Sequence, residues 1–135
     1  MILQRIKYNE LNAKQKESFN FQKVAAKLAD YGFNCMWLND DWQGADFIAC
    51  HIDGNTFVKV QLKGRLSINK KYNQKNIYVA FNQDDKWYLY PHDQIQEDLL
   101  TKGFMKETKS WENNGKYDWP TIPKRLLQYM EPYII

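Results

Sequence analysis

From Phe21 onward, apolar residues recur at Phe21, Val24, Ala25, Leu28 and Tyr31, the spacing of one helix face. Asn12 followed by Gln15 is a capping-box start, and Gly32 is a natural stop, so the pattern predicts a helix between them. The period then changes. Phe33–Leu38 (FNCMWL) is a short strand candidate, while Asp46–Ile52 (DFIACHI) and Asn55–Lys63 (NTFVKVQLK) carry the two-residue alternation of half-buried strands. Asp53-Gly54 between those two is a strong hairpin signal. Asn76–Phe81 and Lys86–Pro91 repeat the pattern around the polar turn NQDD. The segments DDWQG over 40–44 and GRLSINKKYNQK over 64–75 read as loops. Ile95, Leu99 and Leu100 mark a short helix stopped by Gly103. Residues 107–123 read as polar and irregular, anchored by Trp111 and Trp119, and Pro123 opens a last helix carrying Leu126, Leu127 and Met130. Helix, about five strands, helix, helix is an α/β order with a mixed central sheet and flanking helices. A length of 135 residues suits one domain spanning 1–135.

With Asp53-Gly54 as the turn, directly opposed residues of the hairpin have numbers summing to 107. Asp46 then faces Gln61, with Lys63 diagonal to it and Lys59 opposite Ile48, all on one side. Phe47, Ala49, Val58, Val60 and Leu62 point the other way, toward what should be the main core. The gathered polar side has a chemical use. Asp46 supplies the hard anionic oxygen that Mg²⁺ prefers, and the Gln61 side chain and the Leu62 carbonyl offer two more oxygens. Lys63 is placed to orient an attacking water or to stabilise charge on a phosphate. Glu17 lies at the end of the helix's inward stripe and could overhang the sheet, although a first-turn acid also serves the helix dipole.

Charge sharpens this. The chain carries a net +3, yet the window from Gly54 to Gln83 has no Asp or Glu and contributes +6, leaving −3 elsewhere. Lys59, Arg65, Lys70, Lys71 and Lys75 lie in that window with Lys63, so it reads as a patch for a polyanion. No apolar run approaches the length needed to span a bilayer. The N-terminus becomes charged at once, unlike a secretory signal. Cys35 and Cys50 have no motif spacing, which fits reduced, buried thiols in a cytoplasmic protein and argues against a disulfide scaffold or a cysteine zinc site. His51 falls on the core-facing side of its strand and His92 at a helix start. No paired-histidine spacing, phosphate-cradling glycine loop or hydrolase serine motif accompanies them.

The combination of Gly-Ala-Asp ending at Asp46, the Gln61-Leu62-Lys63 triplet on the next strand and a preceding helix resembles the PD-(D/E)xK nuclease superfamily, in its Q-x-K form. The resemblance covers about Asn12 to Tyr90. It implies a restriction-endonuclease-like core and hydrolysis of DNA phosphodiesters with Mg²⁺, for which Mn²⁺ can substitute. Asp46, Gln61 and Lys63 would be catalytic, and Glu17 a fourth member. RNA is an alternative substrate, and a homodimer is the natural way to cut both strands of a duplex. Three departures from the family pattern stand out. Ala45 replaces the usual Pro, a change of little cost, Glu17 sits a turn before the position where related sequences place their helix Glu, and Gln61 is neutral. The neutral Gln61 implies weak Mg²⁺ affinity and, with the displaced Glu, a nuclease-fold module that binds nucleic acid or a protein without cutting as the alternative.

Overall fold

Asn12 caps the first helix as its spacing predicts. In the computed structural model, which describes residues 1–135, its side chain accepts the Gln15 N–H at 2.8 Å and Gln15 Oε1 accepts the Asn12 N–H at 2.9 Å. Helix α1 (Ala13–Ala29) buries Val24 and Leu28. Tyr31 lies beyond its end and is exposed, and the chain turns at Gly32 with φ +85°.

Seven strands follow: β1 (Phe33–Trp42), β2 (Ala45–His51), β3 (Phe57–Leu62), β4 (Leu66–Asn69), β5 (Ile77–Gln83), β6 (Lys86–Pro91) and β7 (Lys116–Trp119). Five form the central sheet in the order β1-β2-β3-β5-β6, antiparallel except where β3 runs parallel to β5. The fold is therefore α/β, with an N-terminal helix and a five-stranded mixed sheet. Strands β4 and β7 pair separately. Helices α2 (His92–Thr101), α3 (Lys109–Asn114) and α4 (Lys124–Met130) complete the C-terminal half. No helix is long and apolar enough to cross a membrane.

The β2–β3 register is the expected one, with Phe47 opposite Val60 and Ile48 opposite Lys59. Its connection differs. His51 N–H donates to Thr56 O at 2.9 Å, closing a four-residue loop over 52–55 in place of a two-residue turn. The Asp53 carboxylate braces this loop, accepting the Asn55 and Thr56 N–H groups, each at 2.8 Å, and the Thr56 hydroxyl at 2.6 Å. Both loops share one midpoint, so the pairing is the same for either.

The two sheet faces bury different amounts. Under α1 lie Phe47, Ala49, Val60 and Ala80, with Trp87, in a cluster of seven buried residues. The opposite face holds a cluster of 17, in which Ile77, Val79, Phe81, Tyr88 and Tyr90 meet residues from β4, β7 and the C-terminal helices. The larger core is thus across the sheet from Phe47 and Val60, the reverse of the sequence expectation, because β4, β7 and the C-terminal helices pack on the far side of β5 and β6.

Three segments expected to be irregular are ordered. Strand β1 continues to Trp42, with a register shift after Trp37, and pairs Trp42 with Ala45. Gln43 and Gly44, at φ +54° and +84°, form the tight turn between them. The basic segment is no free loop: Leu66, Ser67 and Ile68 of β4 are buried. The buried Tyr90 hydroxyl donates to Ser67 O at 2.6 Å and accepts from Ser67 N at 3.1 Å, and burial drives its phenol pKa far up. Residues 107–123 contain α3 and β7, with Trp111 and Trp119 buried as anticipated.

His92 opens α2 and is fully buried. Its Nε2 accepts the Asn69 N–H at 3.0 Å and its Nδ1 meets Asp93 Oδ1 at 2.9 Å, which fixes a neutral ring protonated on Nδ1. His51 is half-buried, edge-on to Phe33, and accepts the Asp53 N–H. Both cysteines are free and half-buried, not fully buried as expected. Residues Ile134 and Ile135 lie along β6, with Ile135 N–H donating to Trp87 O at 2.9 Å, whereas the outer edge of β1 has no partner strand.

Candidate active site

The tight turn at Gln43-Gly44 starts the site. A Cβ at Gly44 would lie 3.0 Å from the Tyr72 ring, so glycine serves both the positive φ and the close approach of that ring. Two residues on, Asp46 enters β2 beside the end of β3. Its Oδ2 accepts the Leu62 N–H at 2.8 Å, which ties the carboxylate to the middle residue of the Gln61-Leu62-Lys63 triplet. Gln61 Nε2 turns to the Leu62 carbonyl at 3.3 Å, leaving Gln61 Oε1 without a protein donor. Lys63 N–H donates to Ala80 O, extending the β3–β5 pairing one residue beyond the strand. Its Nζ stands 5.6 Å from the centre of the Tyr72 ring, while Lys71 Nζ stands 5.1 Å from the same ring.

Electrostatics around Asp46 are mixed. Burial pushes its carboxyl pKa up and the Leu62 N–H pulls it down; Glu17 and Asp41 raise it further, while Lys63 lowers it. Glu17 therefore acts on Asp46 through space and makes no hydrogen bond to it. Glu17 is exposed on α1 and lines a shallow depression with Phe21 and Trp37. From sequence, Asp40 and Asp41 are loop acids that could help from the outer sphere and carry no assigned role. Asp41 precedes the Trp42–Ala45 pair on β1 and is near enough to raise the Asp46 carboxyl pKa. The signal that could have found it is the Gln-Gly dipeptide, a two-residue turn that mirrors the residues flanking it.

Among the basic residues, Lys59 lies opposite Ile48 with its Nζ 5.8 Å from the Trp42 ring centre. Lys71 shares the Tyr72 ring with Lys63. Lys70 is drawn elsewhere, its Nζ 4.7 Å over Trp111 and its stem against Gly115. Arg65 is exposed and Lys75 half-buried. Tyr72 itself is buried, and burial raises its phenol pKa.

A divalent cation fits this donor set sparingly. Asp46 Oδ1 and Gln61 Oε1 are oxygens with no protein donor, and two further carboxylates raise the local negative field. No three His, Cys, Asp or Glu side chains converge into a cage. A Mg²⁺ held here would keep most of its water shell.

No protein-family model matches the chain, and no curated protein matches it. Solved structures that it resembles include the Holliday junction resolvase Hjc of the archaeal hyperthermophile Archaeoglobus fulgidus. The two share 15% identity with a TM-score of 0.46, over 58% of this chain and 74% of that one. They also include the bacterial homing endonuclease I-Ssp6803I, at 14% identity and a TM-score of 0.48, over 84% of this chain and 79% of that one. Both likenesses are of fold.

Proposed function

We propose that this chain, as a single domain over 1–135, is a PD-(D/E)xK-type nuclease of the Q-x-K form that hydrolyses DNA phosphodiesters with Mg²⁺ or Mn²⁺ in the cytoplasm. The reading rests on one observation above others: Asp46 is hydrogen-bonded to Leu62 at 2.8 Å, inside the Gln61-Lys63 triplet. Asp46 and Gln61 would hold the ion, with the Leu62 carbonyl as a third oxygen. When bound, it would polarise the phosphoryl oxygen and acidify a water. Lys63 carries the rest of the work, placing a positive charge where the scissile phosphate gains negative charge, next to the carboxylate that fixes the water's position. Glu17 and Asp41 deepen the field that draws the cation to Asp46. Lys59, Arg65, Lys71 and Lys75, and Lys70 in its different setting, are candidates for phosphates flanking the cut. A homodimer would bring two such sites to a duplex.

The test is cleavage of supercoiled plasmid and branched DNA, and of RNA in parallel, by wild type and Lys63→Ala in Mg²⁺, Mn²⁺ and EDTA. Metal-dependent nicking that disappears in the variant is expected. Absence of cleavage with every metal, alongside retained DNA binding, would reject it. That outcome favours a second reading, a nuclease-fold module that binds without cutting, which the neutral Gln61 and the lack of a three-residue metal cage support.

A further inference from the structure

A second feature lies at the Lys63 end of the sheet, where one end of the basic window meets α1 and the N-terminal segment. The N-terminal segment, α1 and the ends of β3, β5 and β6 enclose an open groove of about 590 Å³. Arg5, Lys23, Lys27 and Lys63 line it, with the amide of Asn82, and Asp85 is its one carboxylate. Lys23 and Lys27 are one turn apart on the exposed side of α1, and like charges at that spacing work against the helix. No carboxylate offsets them: Lys23 Nζ lies 5.2 Å from the centre of the Phe19 ring, and every ion pair within 4 Å involves a histidine, so none of the lysines or arginines is paired with an acid. Helix α1 carries Lys14, Lys16, Lys23 and Lys27 against a single acid, Glu17. Lys63 belongs both to this groove and to the surroundings of Asp46.

We infer that this groove binds the phosphodiester backbone of a nucleic acid strand leading into Asp46 and Lys63, with Lys23 and Lys27 as its phosphate contacts. The inference deepens the nuclease reading, since Lys63 joins groove and site, and it moves the main binding track from the segment 65–75 to α1. The chemistry is that of unpaired ammoniums and a guanidinium facing a polyanion. Affinity gained this way falls with salt and is indifferent to base sequence. Single-stranded and duplex nucleic acid share that chemistry.

The experiment measures fluorescence anisotropy of labelled single-stranded and duplex DNA across a salt series. Wild type is compared with Lys23→Gln/Lys27→Gln and with the charge-matched control Lys106→Gln/Lys109→Gln. All four substituted lysines are exposed, so the folds survive, as superimposable thermal melts would show. For the groove variant, the slope of log affinity against log salt is expected to fall by about one per lysine removed. It should do so on one or both DNA forms, which identifies the strand type, while the control keeps the wild-type slope. An unchanged slope on both forms, or an equal loss in the control, overturns the inference. The nuclease reading fails separately: a wild type that cuts nothing in any metal, yet loses slope in the groove variant, leaves the groove standing. A wild type that cuts, with slopes untouched, rejects the groove alone.

Discussion

Strands β2 and β3 present two opposite surfaces only one residue out of phase. Phe47, Ala49 and Val60 vanish beneath α1, whereas Asp46, Lys59 and Gln61 stay half-buried on the other side. On that same side, Val79, Phe81 and Tyr90 of β5 and β6 are wholly buried in the larger core. The contrast teaches that strand alternation alone does not decide which face is core. What crosses over the sheet decides it: the C-terminal half covers β5 and β6 and stops short of the β2–β3 end, leaving polar chemistry beside a sealed interior.

The contrast can be broken from its buried side. Phe47→Ala removes a fully buried ring packed edge-on to Phe21. It should cost about 3–5 kcal/mol in urea unfolding, enough to threaten folding itself. Asp46→Asn, one residue away, should do the reverse. An amide oxygen can still accept the Leu62 N–H, so the urea midpoint should barely move while cleavage falls by about 10²–10³. Equal losses of stability in the two variants would erase the distinction between site and core.

Gly44→Ala tests the hinge between the two. The positive φ should cost about 1–2 kcal/mol, and the methyl would press on Tyr72. Activity should drop with stability because Asp46 follows within two residues. The smallest effect belongs to His92. Burial lowers its pKa, against the pull of Asp93, so the folded protein resists a proton that the unfolded chain accepts near pH 6.5. Its contribution is therefore intact above that pH and lost as pH falls below it. His92→Gln, which can still accept from Asn69, should flatten the decline in melting temperature between about pH 7 and about pH 5.5. A decline as steep as wild type's would show that other groups set it.

Legibility in the sequence followed the reach of each interaction. The helix cap at Asn12, the inward Val24 and Leu28, and the β2–β3 register were readable because each depends on residues a few positions apart. Even a wrong loop length preserved the register, since the error was symmetric about Asp53-Gly54. Strand β1 beyond Leu38 was not readable, because an edge strand exposed to water needs no apolar alternation. Four-residue strands such as β4 and β7 are too short to display a period, and their pairing joins Leu66 to Trp119 across the chain. The position of Lys70 over Trp111 is a long-range contact of the same kind. So is the groove, whose cations come from the N-terminal segment, α1 and the end of β3.

The unequal edges of the central sheet limit how copies of this chain can accumulate. Ile134 and Ile135 occupy backbone positions along β6, while β1 offers its free donors and acceptors to solvent. Growth by strand addition through this sheet needs a receptive rim on each side, and Ile134 and Ile135 cover part of one of them. Self-recognition through the central sheet would therefore favour β1 against β1, a back-to-back pair in which each copy covers the other's open rim.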